Sequence, residues 1–285
     1  MTALPTLFVS HGSPMHALHA GRAGAAWADL GRRLPKPKAV VMASAHWETE
    51  WPMLATQARP ETIHDFGGFP PELYKLRYPA PGAPEVAQRA VDLLRAADLP
   101  VSTNGCRGLD HGAWVPLRYM YPDADVPVTQ ISLQPALGAD HHLRVGAALA
   151  PLTREGVLIV GSGHMTHNLR DWMQFVRTRG RAPEDAGEAD YVAAFRRWAD
   201  TALSAGDGDA LARWHELAPH AARAHPTDEH YLPLPLAFAA AGPHPRVEHI
   251  DAGVDAGVLA MDAYVFHPQE QDLTPSSSLR AAGIS

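Results

Sequence analysis

The sequence is poor in several features that mark specialised classes of protein. It holds one cysteine, Cys106, in 285 residues, which rules out an internal disulfide and a thiolate-rich zinc or iron–sulfur site. We expect this lone cysteine to be a buried structural thiol. Apolar runs such as 39–45 are far shorter than the ~20 residues that a membrane helix needs. Residues 1–7 lack the basic start and the long apolar stretch of a signal peptide, which predicts a cytoplasmic protein without a membrane partner.

Positive charge is scarce as well. The 24 lysines and arginines are outnumbered by 31 aspartates and glutamates, which gives a net charge of -7. A chain with that balance offers no basic surface for nucleic acid, so we expect no nucleic-acid partner. Hydrophobic residues make up 46% and charged residues 19%, a globular composition. With no internal repeat or long linker, the sequence predicts a single domain over 1–285 that ends in a disordered tail over 274–285.

Short apolar runs alternate with helical stretches along the chain. The apolar runs predict buried strands at Thr6–Ser10, Ala39–Ala45, Val126–Ser132 and Val157–Val160. The helical stretches are predicted at Glu85–Ala97, Asp140–Leu152 and Glu188–Leu203. Such alternation is typical of a largely parallel sheet with helices on both faces. The predicted fold is therefore α/β, a three-layer α/β/α sandwich with a mixed, mostly parallel central sheet.

Two segments depart from this alternation. Residues 59–81 are rich in proline, glycine and aromatic residues, and we expect a structured loop over the sheet edge. Residues 246–266 are predicted to add late strands around 251–257, in antiparallel direction. In the first predicted helix, the apolar face is expected to consist of Val86, Ala90, Leu93 and Leu94.

Histidine stands out among the residues that are present, with 17 copies. It is the commonest metal ligand in proteins and changes its charge near neutral pH. His11 and His46 each come at the end of a predicted strand, where open α/β sheets usually build their sites. One such histidine is more often a structural residue than a ligand. Because the same placement occurs twice, we expect these two imidazoles to share a metal.

A third histidine cluster, Gly161–Asn168, also follows a predicted strand. Its glycines allow the backbone to come close to a ligand or to another strand. His164 and His167 are three residues apart, so both would face one site if a helix begins here. The alternative is that one of them caps or packs against the turn.

A fourth cluster, His225–Pro233, offers several potential ligands in a short stretch. Thr227 is predicted to cap a helix whose first turn holds Asp228 and Glu229, which suit the positive end of a helix dipole. Acidic residues in a first turn need no metal. This cluster therefore stays open between a capping role and a ligand role.

Two further histidines have unusual neighbours. His64 precedes a glycine pair between aromatic residues, which predicts a pocket lid, and His111 lies between an acid and a glycine at a predicted helix start. Either residue is also compatible with a purely structural role. The other histidines lie in polar or arginine-rich neighbourhoods and are expected to be solvated: His16, His19, His141, His142, His215, His220, His244, His249 and His267.

Several strings of residues, taken in chain order, resemble one known family. They are His11–Pro14, Ser44–Trp47, Ile63–Pro70, Tyr78–Gly82, Gly108–Trp114, Tyr121–Asp125, His167–Leu169 and Glu229–Pro233. Each string alone is weakly specific, but the ordered set spans nearly the whole chain. The chain thereby resembles the class III extradiol ring-cleaving dioxygenases, and within them the DOPA-dioxygenase-type branch.

This resemblance implies a cofactor and a set of site residues. It implies that His11, His46 and His230 hold one divalent metal, iron(II) in the active enzyme or zinc as isolated. His167 is implied as an additional ligand or as the acid–base group beside the metal. His111 is implied as a residue near bound dioxygen or substrate. The family fold is an α/β/α domain with a mixed sheet, in agreement with the alternation of strands and helices.

The implied reaction is extradiol cleavage of a catechol, DOPA or a related compound, with O2 to a muconate-semialdehyde-type product. Neutral imidazoles suit iron(II) and leave coordination positions open for the catechol and O2. Three histidines are also a common catalytic zinc set. The choice between iron and zinc therefore stays open. Candidate residues to line a pocket for an aromatic acid are Trp47, Phe66, Phe69, Tyr74, Arg77 and Arg118.

Two other functions stay open at this level. A zinc hydrolase would use metal-bound water on the same histidines, with Glu48, Asp65 or Glu229 as the base. A non-catalytic protein would bind the metal or another ligand without turnover. The sequence makes no prediction of the oligomeric state.

Overall fold

An eight-stranded mixed sheet forms the centre of the fold in the computed structural model, which describes residues 3–179 and 187–269. The strands are β1 (Thr6–Ser10), β2 (Ala39–Glu48), β3 (Met53–Ala55), β4 (Ser102–Asn104), β5 (Val128–Leu133), β6 (Val157–Gly163), β7 (Arg246–Ile250), β8 (Val254–Asp255), β9 (Leu259–Ala260) and β10 (Ala263–His267). Across the sheet their order is β4-β3-β5-β2-β6-β1-β10-β7, and β8 pairs with β9 separately. The predicted tail over 274–285 lies outside the described residues.

The middle of the sheet is parallel, and antiparallel pairings lie towards its edges. Strands β5, β2, β6 and β1 run side by side in one direction. Beyond β1, strands β10 and β7 pair antiparallel, and on the other side β3 pairs antiparallel with β5. The predicted mixed, mostly parallel sheet is confirmed. The late antiparallel strands are confirmed as well, although the main ones flank residues 251–257 instead of lying within them.

Helices cover both faces of the sheet. They are α1 (Gly21–Arg33), α2 (Pro84–Ala96), α3 (His111–Met120), α4 (Gly138–Leu149), α5 (Pro151–Arg154), α6 (Leu169–Arg179), α7 (Asp190–Ala205), α8 (Gly208–Ala212), α9 (Trp214–Leu217), α10 (Ala221–Ala224) and α11 (Pro233–Ala240). The predicted helix at 140–152 is split into α4 and α5, because Pro151 has no N–H to continue the hydrogen-bond ladder of α4.

Two hydrophobic cores lie on opposite faces of the sheet. Successive side chains of a strand point to opposite faces, so β1 sends Phe8 into one core and Val9 into the other. In the same way β2 divides Val41 and Val40 between them. Helices α2, α4, α7 and α11 pack over the first core, and α1 and α3 pack over the second. Burial on both faces holds the carboxyl ends of these strands in place.

One prediction about burial is confirmed in part and another is wrong. The buried face of α2 consists of Ala87, Ala90, Val91 and Leu94, while Val86 and Leu93 lie at the border of that face and are partly buried. Small alanines at its centre let the helix lie close to the sheet. Cys106 is exposed. It follows an edge strand, in a turn where its N–H donates to Asn104 Oδ1 at 2.8 Å.

Two histidines that were expected to be solvated are buried on α4. They are His141 and His142, and the second is fully buried. His142 Nδ1 donates to the Gly138 carbonyl at 2.7 Å, and Nε2 accepts from the Gln134 N–H at 3.1 Å. Burial lowers the pKa of His142 to about 4, which keeps the ring neutral. An imidazole with both nitrogens bonded can occupy a core, whatever the polarity of its sequence neighbours.

A buried ion network ties the last strands to α7. The carboxylate of Asp262 is fully buried and accepts hydrogen bonds from Arg196 Nε and Nη2, at 2.8 and 2.7 Å. His249 Nε2 lies 2.6 Å from the same carboxylate. The backbone carbonyl of Asp262 accepts the N–H and the hydroxyl of Ser10, the last residue of β1. The network thus supports the strand end that presents His11.

We expect Asp262→Asn to destabilise the fold. A neutral amide leaves Arg196 partly uncompensated and cannot accept from all of its donors, and removing one partner of a buried pair costs about 3 kcal/mol of unfolding free energy. Urea denaturation measures the change. The control is Glu155→Gln, which removes the exposed partner of Arg89 and should unfold near the wild-type midpoint. Equal midpoints for the two variants would contradict the structural role of Asp262.

Candidate metal centre

The carboxyl ends of three adjacent parallel strands bring the histidines together. Strands β2, β6 and β1 are neighbours in the sheet. His46 lies near the end of β2, and His11 and His164 directly follow β1 and β6. Because neighbouring parallel strands end at the same edge of a sheet, these imidazoles meet there.

His11 and His46 face each other through their Nε2 atoms, which are 3.0 Å apart. On the far side of the His11 ring, Nδ1 lies 3.0 Å from Ser162 Oγ. That hydroxyl donates its hydrogen to the Gly112 carbonyl at 2.5 Å, so it accepts from His11 and Nδ1 carries the proton. The lone pair of His11 Nε2 therefore points at His46. A proton or a cation has to lie between the two nitrogens.

The separation of these nitrogens fits a shared metal ion. Two imidazole nitrogens that each lie about 2.1 Å from one ion, at right angles, are about 3.0 Å apart. A cation at this point would bond to both lone pairs at once. The pair is thus spaced as two ligands of one metal are.

Asp65 holds the next histidine of the cluster, His111, at the start of α3. Its carboxylate accepts from Nδ1 and from the backbone N–H of His111, both at 2.9 Å, and lies 3.6 Å from His46 Nδ1. Burial alone would raise the pKa of Asp65, but the hydrogen bonds from His111 lower it to about 2. This ionised carboxylate keeps the proton on His111 Nδ1. One nitrogen from each of His11, His46 and His111 lies within 4.8 Å of the others, close enough to hold a metal.

His230 approaches the same point from another segment of the chain. Its ring centroid lies 5.3 Å from that of His11 and 5.0 Å from that of His46. Nδ1 lies 2.9 Å from Glu229 Oε1, whereas Nε2 is buried and has no hydrogen-bond partner among the described residues. A buried polar atom without a partner costs free energy. A cation bound beside it would satisfy this nitrogen.

His167 stacks on His230. Their ring centroids are 3.4 Å apart and their planes differ by 13°. Together with Glu229, they offer a second group of ligand atoms within 4.8 Å of one another. Burial, aided by His225 and other imidazoles, lowers the pKa of His167 to about 3. The ring is therefore neutral at pH 7 and has a lone pair that can accept a proton.

His164 also belongs to the cluster. It is buried, and its ring centroid lies 5.4 Å from that of His11 and 5.3 Å from that of His167. Its Nδ1 has no hydrogen-bond partner in the described part of the chain. His225 instead packs among core aromatic rings, with Nε2 2.9 Å from the Met165 carbonyl. This places His225 in the core.

Two glycines let the segments come close enough to assemble the site. A Cβ on Gly163 would lie 2.2 Å from the His230 carbonyl oxygen, and a Cβ on Gly112 would lie 2.5 Å from Ser44 Oγ. A larger residue would push the backbone at His230 away from position 163, and at position 112 it would displace the side chain of Ser44. The N–H of His164 donates to the same His230 carbonyl at 2.9 Å, which fixes the approach.

Burial keeps the cluster neutral. Desolvation is the main cause that lowers the pKa of His11, His164 and His230 well below the usual value, and neighbouring imidazoles lower it further. The pKa of His46 falls to about 4, again mainly through burial. Neutral imidazole is the form that binds a metal. The donor set therefore fits a divalent cation.

One predicted helix start is wrong in this region, and the helix considered at 164–167 does not form. Residues 164–168 form an irregular bend, and α6 begins after it, at Leu169. The Thr227 hydroxyl donates to Glu229 at 2.9 Å instead of capping a helix, and α11 begins at Pro233. The reason is that backbone N–H groups at 164 and 167 donate to carbonyls of residues 230 and 224, so these segments pair with each other.

The aromatic loop over 59–81 packs beside the cluster. Its Phe66 ring lies 5.7 Å from the His111 ring and 5.4 Å from the Phe69 ring. His64 Nε2 lies 3.1 Å from the Leu76 carbonyl, within the loop. The structure therefore places His64 in the wall beside His111 rather than in either group of potential metal ligands.

Comparison with known proteins identifies the family. A family model described as the catalytic LigB subunit of aromatic ring-opening dioxygenase matches residues 5–263. The chain belongs to this family, the class III extradiol dioxygenases. A Beta vulgaris protein named 4,5-DOPA dioxygenase extradiol is 43% identical over 92% of this chain and 96% of its own length. An Escherichia coli K12 protein of the same name is 38% identical over 91% and 93%.

A solved structure agrees with the fold. The crystal structure of the uncharacterized protein JW3007 from Escherichia coli K12 matches with a TM-score of 0.73 and 31% identity, covering 92% of this chain and 99% of that one. The resemblance seen in the sequence is thus confirmed, and the chain is an extradiol aromatic ring-opening dioxygenase. No helix in the part of the chain that the structure describes is long and apolar enough to cross a membrane.

Sequence reasoning did not find the residues that orient the histidines. Ser162 was noted as part of a glycine-rich string, and Asp65 was considered as a hydrolase base. Their partners, His11 and His111, are distant in the chain, so no local pattern connects them. A signal did exist in the polar serines Ser44 and Ser162, which interrupt otherwise apolar strands just before the site.

We expect Asp65→Asn to weaken metal binding by about 10- to 100-fold, because the amide cannot hold His111 and face His46 as the carboxylate does. Competition with a chromophoric chelator gives the dissociation constant for zinc. Asp123→Asn is the control, since that carboxylate is exposed and distant from the cluster in sequence. If both variants bind zinc as tightly as the wild type, Asp65 does not orient metal ligands.

Proposed function

We propose that this dioxygenase opens the ring of a catechol by extradiol cleavage with O2, at one divalent metal held by His11, His46 and His230. The observation that carries the proposal is the buried Nε2 of His230, which lacks a hydrogen-bond partner among the described residues, on a ring whose centroid lies 5.3 Å from that of His11 and 5.0 Å from that of His46. Relatives named 4,5-DOPA dioxygenase extradiol, from Beta vulgaris and Escherichia coli K12, support a catechol such as DOPA as the substrate.

Each proposed ligand has a nitrogen that remains available to the centre. His111 also has a free Nε2, and the resemblance of the sequence to the family is what favours His230 as the third ligand. Ser162 and Glu229 engage Nδ1 of His11 and His230, which leaves both Nε2 atoms to the centre. Iron(II) bound there would supply the redox-active centre at which catechol and O2 are held together. With three protein ligands, coordination positions on the metal would remain for the catechol and O2. Zinc would fit the same three nitrogens, so the metal itself is to be identified by analysis.

His167 is proposed as the acid–base group. Its ring lies against the face of His230, next to the point where the catechol would bind. A neutral imidazole at that place can take the proton of a phenolic hydroxyl and return it to the product. Stacking fixes the ring plane, so its nitrogens keep a constant direction during the reaction.

His111 is proposed to contact dioxygen or the substrate. Its ring centroid lies 4.0 Å from that of His46, and Asp65 fixes its proton on Nδ1. The other nitrogen, Nε2, is thereby left to contact dioxygen or the substrate at the metal centre. The aromatic ring of Phe66 packs against His111 and covers it on the side of the loop.

Among the described residues, none of the three carboxylates considered as the base of a hydrolase is free at the centre. Asp65 and Glu229 are each hydrogen-bonded to a histidine, as residues that orient ligands are. Glu48 is largely exposed at the end of β2, and its partial desolvation, with the nearby Glu229, raises its pKa. The arrangement of carboxylates thus favours orientation of imidazoles over activation of water.

Oxygen consumption by the reconstituted protein tests the proposal. After anaerobic loading with iron(II), we expect uptake of one O2 per catechol, since both oxygen atoms enter the product, together with a yellow ring-opened compound. Zinc-loaded protein is the control and should consume no oxygen. A panel of catechols without any oxygen uptake would contradict the proposal. Anaerobic hydrolysis of an ester or amide would support the hydrolase instead.

We expect His167→Gln to lower kcat by about 100-fold or more while leaving the iron content unchanged, because general acid–base catalysis contributes about 10²- to 10⁴-fold. Metal analysis is carried out on the same sample as the oxygen assay. His220→Gln, at an exposed position, serves as the control. A loss of iron from the His167 variant would show that this residue is a ligand and would contradict its assignment as the acid–base group.

A further inference from the structure

Strand β2 is irregular at the position of His46. Ala43 lies opposite Ile131 of β5. The next pair joins Glu48 to Leu133, so β2 carries extra residues between the two pairs and forms a bulge over 44–47. A bulge re-aims side chains and interrupts the regular ladder, so the backbone polar groups of the bulged strand need other partners. The position of His46 therefore depends on the groups that bond to its main chain.

Side chains engage the main chain of His46 at both of its polar groups. Its carbonyl accepts a hydrogen bond from Arg107 Nη2 at 3.0 Å. Its N–H donates to Ser44 Oγ at a longer distance, 3.3 Å. The guanidinium of Arg107 also lies 5.2 Å from the ring centroid of Trp47, the residue that follows His46. Arg107 thus contacts two successive residues of the bulge.

The carboxylate of Asp110 joins these groups to one another. It is fully buried and accepts hydrogen bonds from Arg107 Nη2 and from Ser44 Oγ, each at 2.6 Å. A further donor, Nε2 of Gln130 in β5, lies 2.8 Å away. A buried carboxylate that accepts from this many donors, one of them cationic, is held in one place.

Asp110 also fixes the start of α3, on the other side of the His46 ring. It is the N-cap of this helix, and its Oδ1 accepts from the Ala113 N–H at 3.2 Å. His111 is the first residue of α3, and its ring centroid lies 4.0 Å from that of His46. The packing is close, because a Cβ on Gly112 would lie 3.1 Å from His46 Cδ2. One buried carboxylate therefore connects the bulge with the helix that presents His111.

Resting on the proposed function, in which His46 is a metal ligand, we infer that Arg107 is a positioning residue for this ligand. Its Nη2 carries two N–H groups, which match the His46 carbonyl and the Asp110 carboxylate. The donors of a guanidinium have fixed directions, so this bridge keeps the bulge at one distance from α3. Arg107 acts on the metal only through His46.

The charge of Arg107 and its positioning role predict opposite effects on metal binding. A guanidinium near the centre repels a cation, so if its charge alone mattered, Arg107→Gln would bind metal more tightly. Loss of a group that orients a ligand instead weakens metal binding, typically by about 10- to 100-fold. Arg107→Lys keeps the charge but loses the planar guanidinium, so a pure charge effect predicts no change in this variant.

Zinc affinity, measured in competition with a chromophoric chelator, tests the inference. We expect Arg107→Gln to bind zinc about 10-fold more weakly than the wild type, and Arg107→Lys to show a smaller loss. The matched control is Arg33→Gln, because Arg33 joins α1 to Glu248 of the edge strand β7 at 2.6 Å, in a different part of the sheet. This control should keep the wild-type affinity. Unchanged or tighter zinc binding by Arg107→Gln overturns the inference.

A double-mutant cycle shows whether the effect passes through His46. The variant His46→Ala has no imidazole to position, so adding Arg107→Gln to it should weaken zinc binding by less than about 2-fold. An equal loss in the wild-type and His46→Ala backgrounds would reflect a general disturbance of the fold and would overturn the inference.

The same measurements separate this inference from the proposed function. If the cycle gives the expected result but the iron-loaded protein consumes no O2 with any catechol, the proposed reaction fails and the role of Arg107 stands. If O2 is consumed but Arg107→Gln keeps the wild-type zinc affinity, the role of Arg107 alone fails. If His46→Ala binds zinc as tightly as the wild type, His46 is not a ligand and both proposals fail.

Discussion

Several neutral imidazoles are buried in one place, with inward nitrogens that face one another across a shared centre. His11 and His46 meet at 3.0 Å, and His230 brings in a nitrogen without a partner among the described residues. Such a cluster is costly unless a cation occupies its centre, since buried lone pairs lose the hydrogen bonds that water would give. The rest of the site follows from this constraint. The rings of His11, His111 and His230 are held by a hydrogen bond at Nδ1, which leaves Nε2 of each to the centre.

The groups that hold the rings differ in chemistry but act alike. A serine hydroxyl, with its own hydrogen donated to a carbonyl, accepts from His11, and the carboxylates of Asp65 and Glu229 engage His111 and His230. Each group is an acceptor at that point, so each keeps a proton on Nδ1 and the lone pair on Nε2. The tautomers are thus set by tertiary contacts. Ser162, just before the end of β6, thereby becomes part of the candidate metal centre.

The candidate metal centre lies where rigid strand ends meet a surface loop. Parallel strands deliver histidines to one sheet edge, and the aromatic loop over 59–81 packs against them there. The strand ends are rigid because both faces of the sheet are buried. The ion network around Asp262 also holds the end of β1, because Ser10 donates a hydrogen bond to the Asp262 carbonyl. The imidazoles at these strand ends are therefore held in fixed positions.

The sequence by itself determined the α/β class, the four central strands and the histidines that follow them, because strand and helix periodicity and strand-end placement are local properties. It did not determine which imidazoles share a centre, since the approach of His230 depends on a backbone contact with Gly163 across the fold. The bends at 164–168 and 225–232 were likewise beyond local signals, because their N–H groups pair between distant segments instead of continuing helices. Burial of His142 and exposure of Cys106 were decided in the same way, by packing against elements that no neighbouring residue in the sequence identifies.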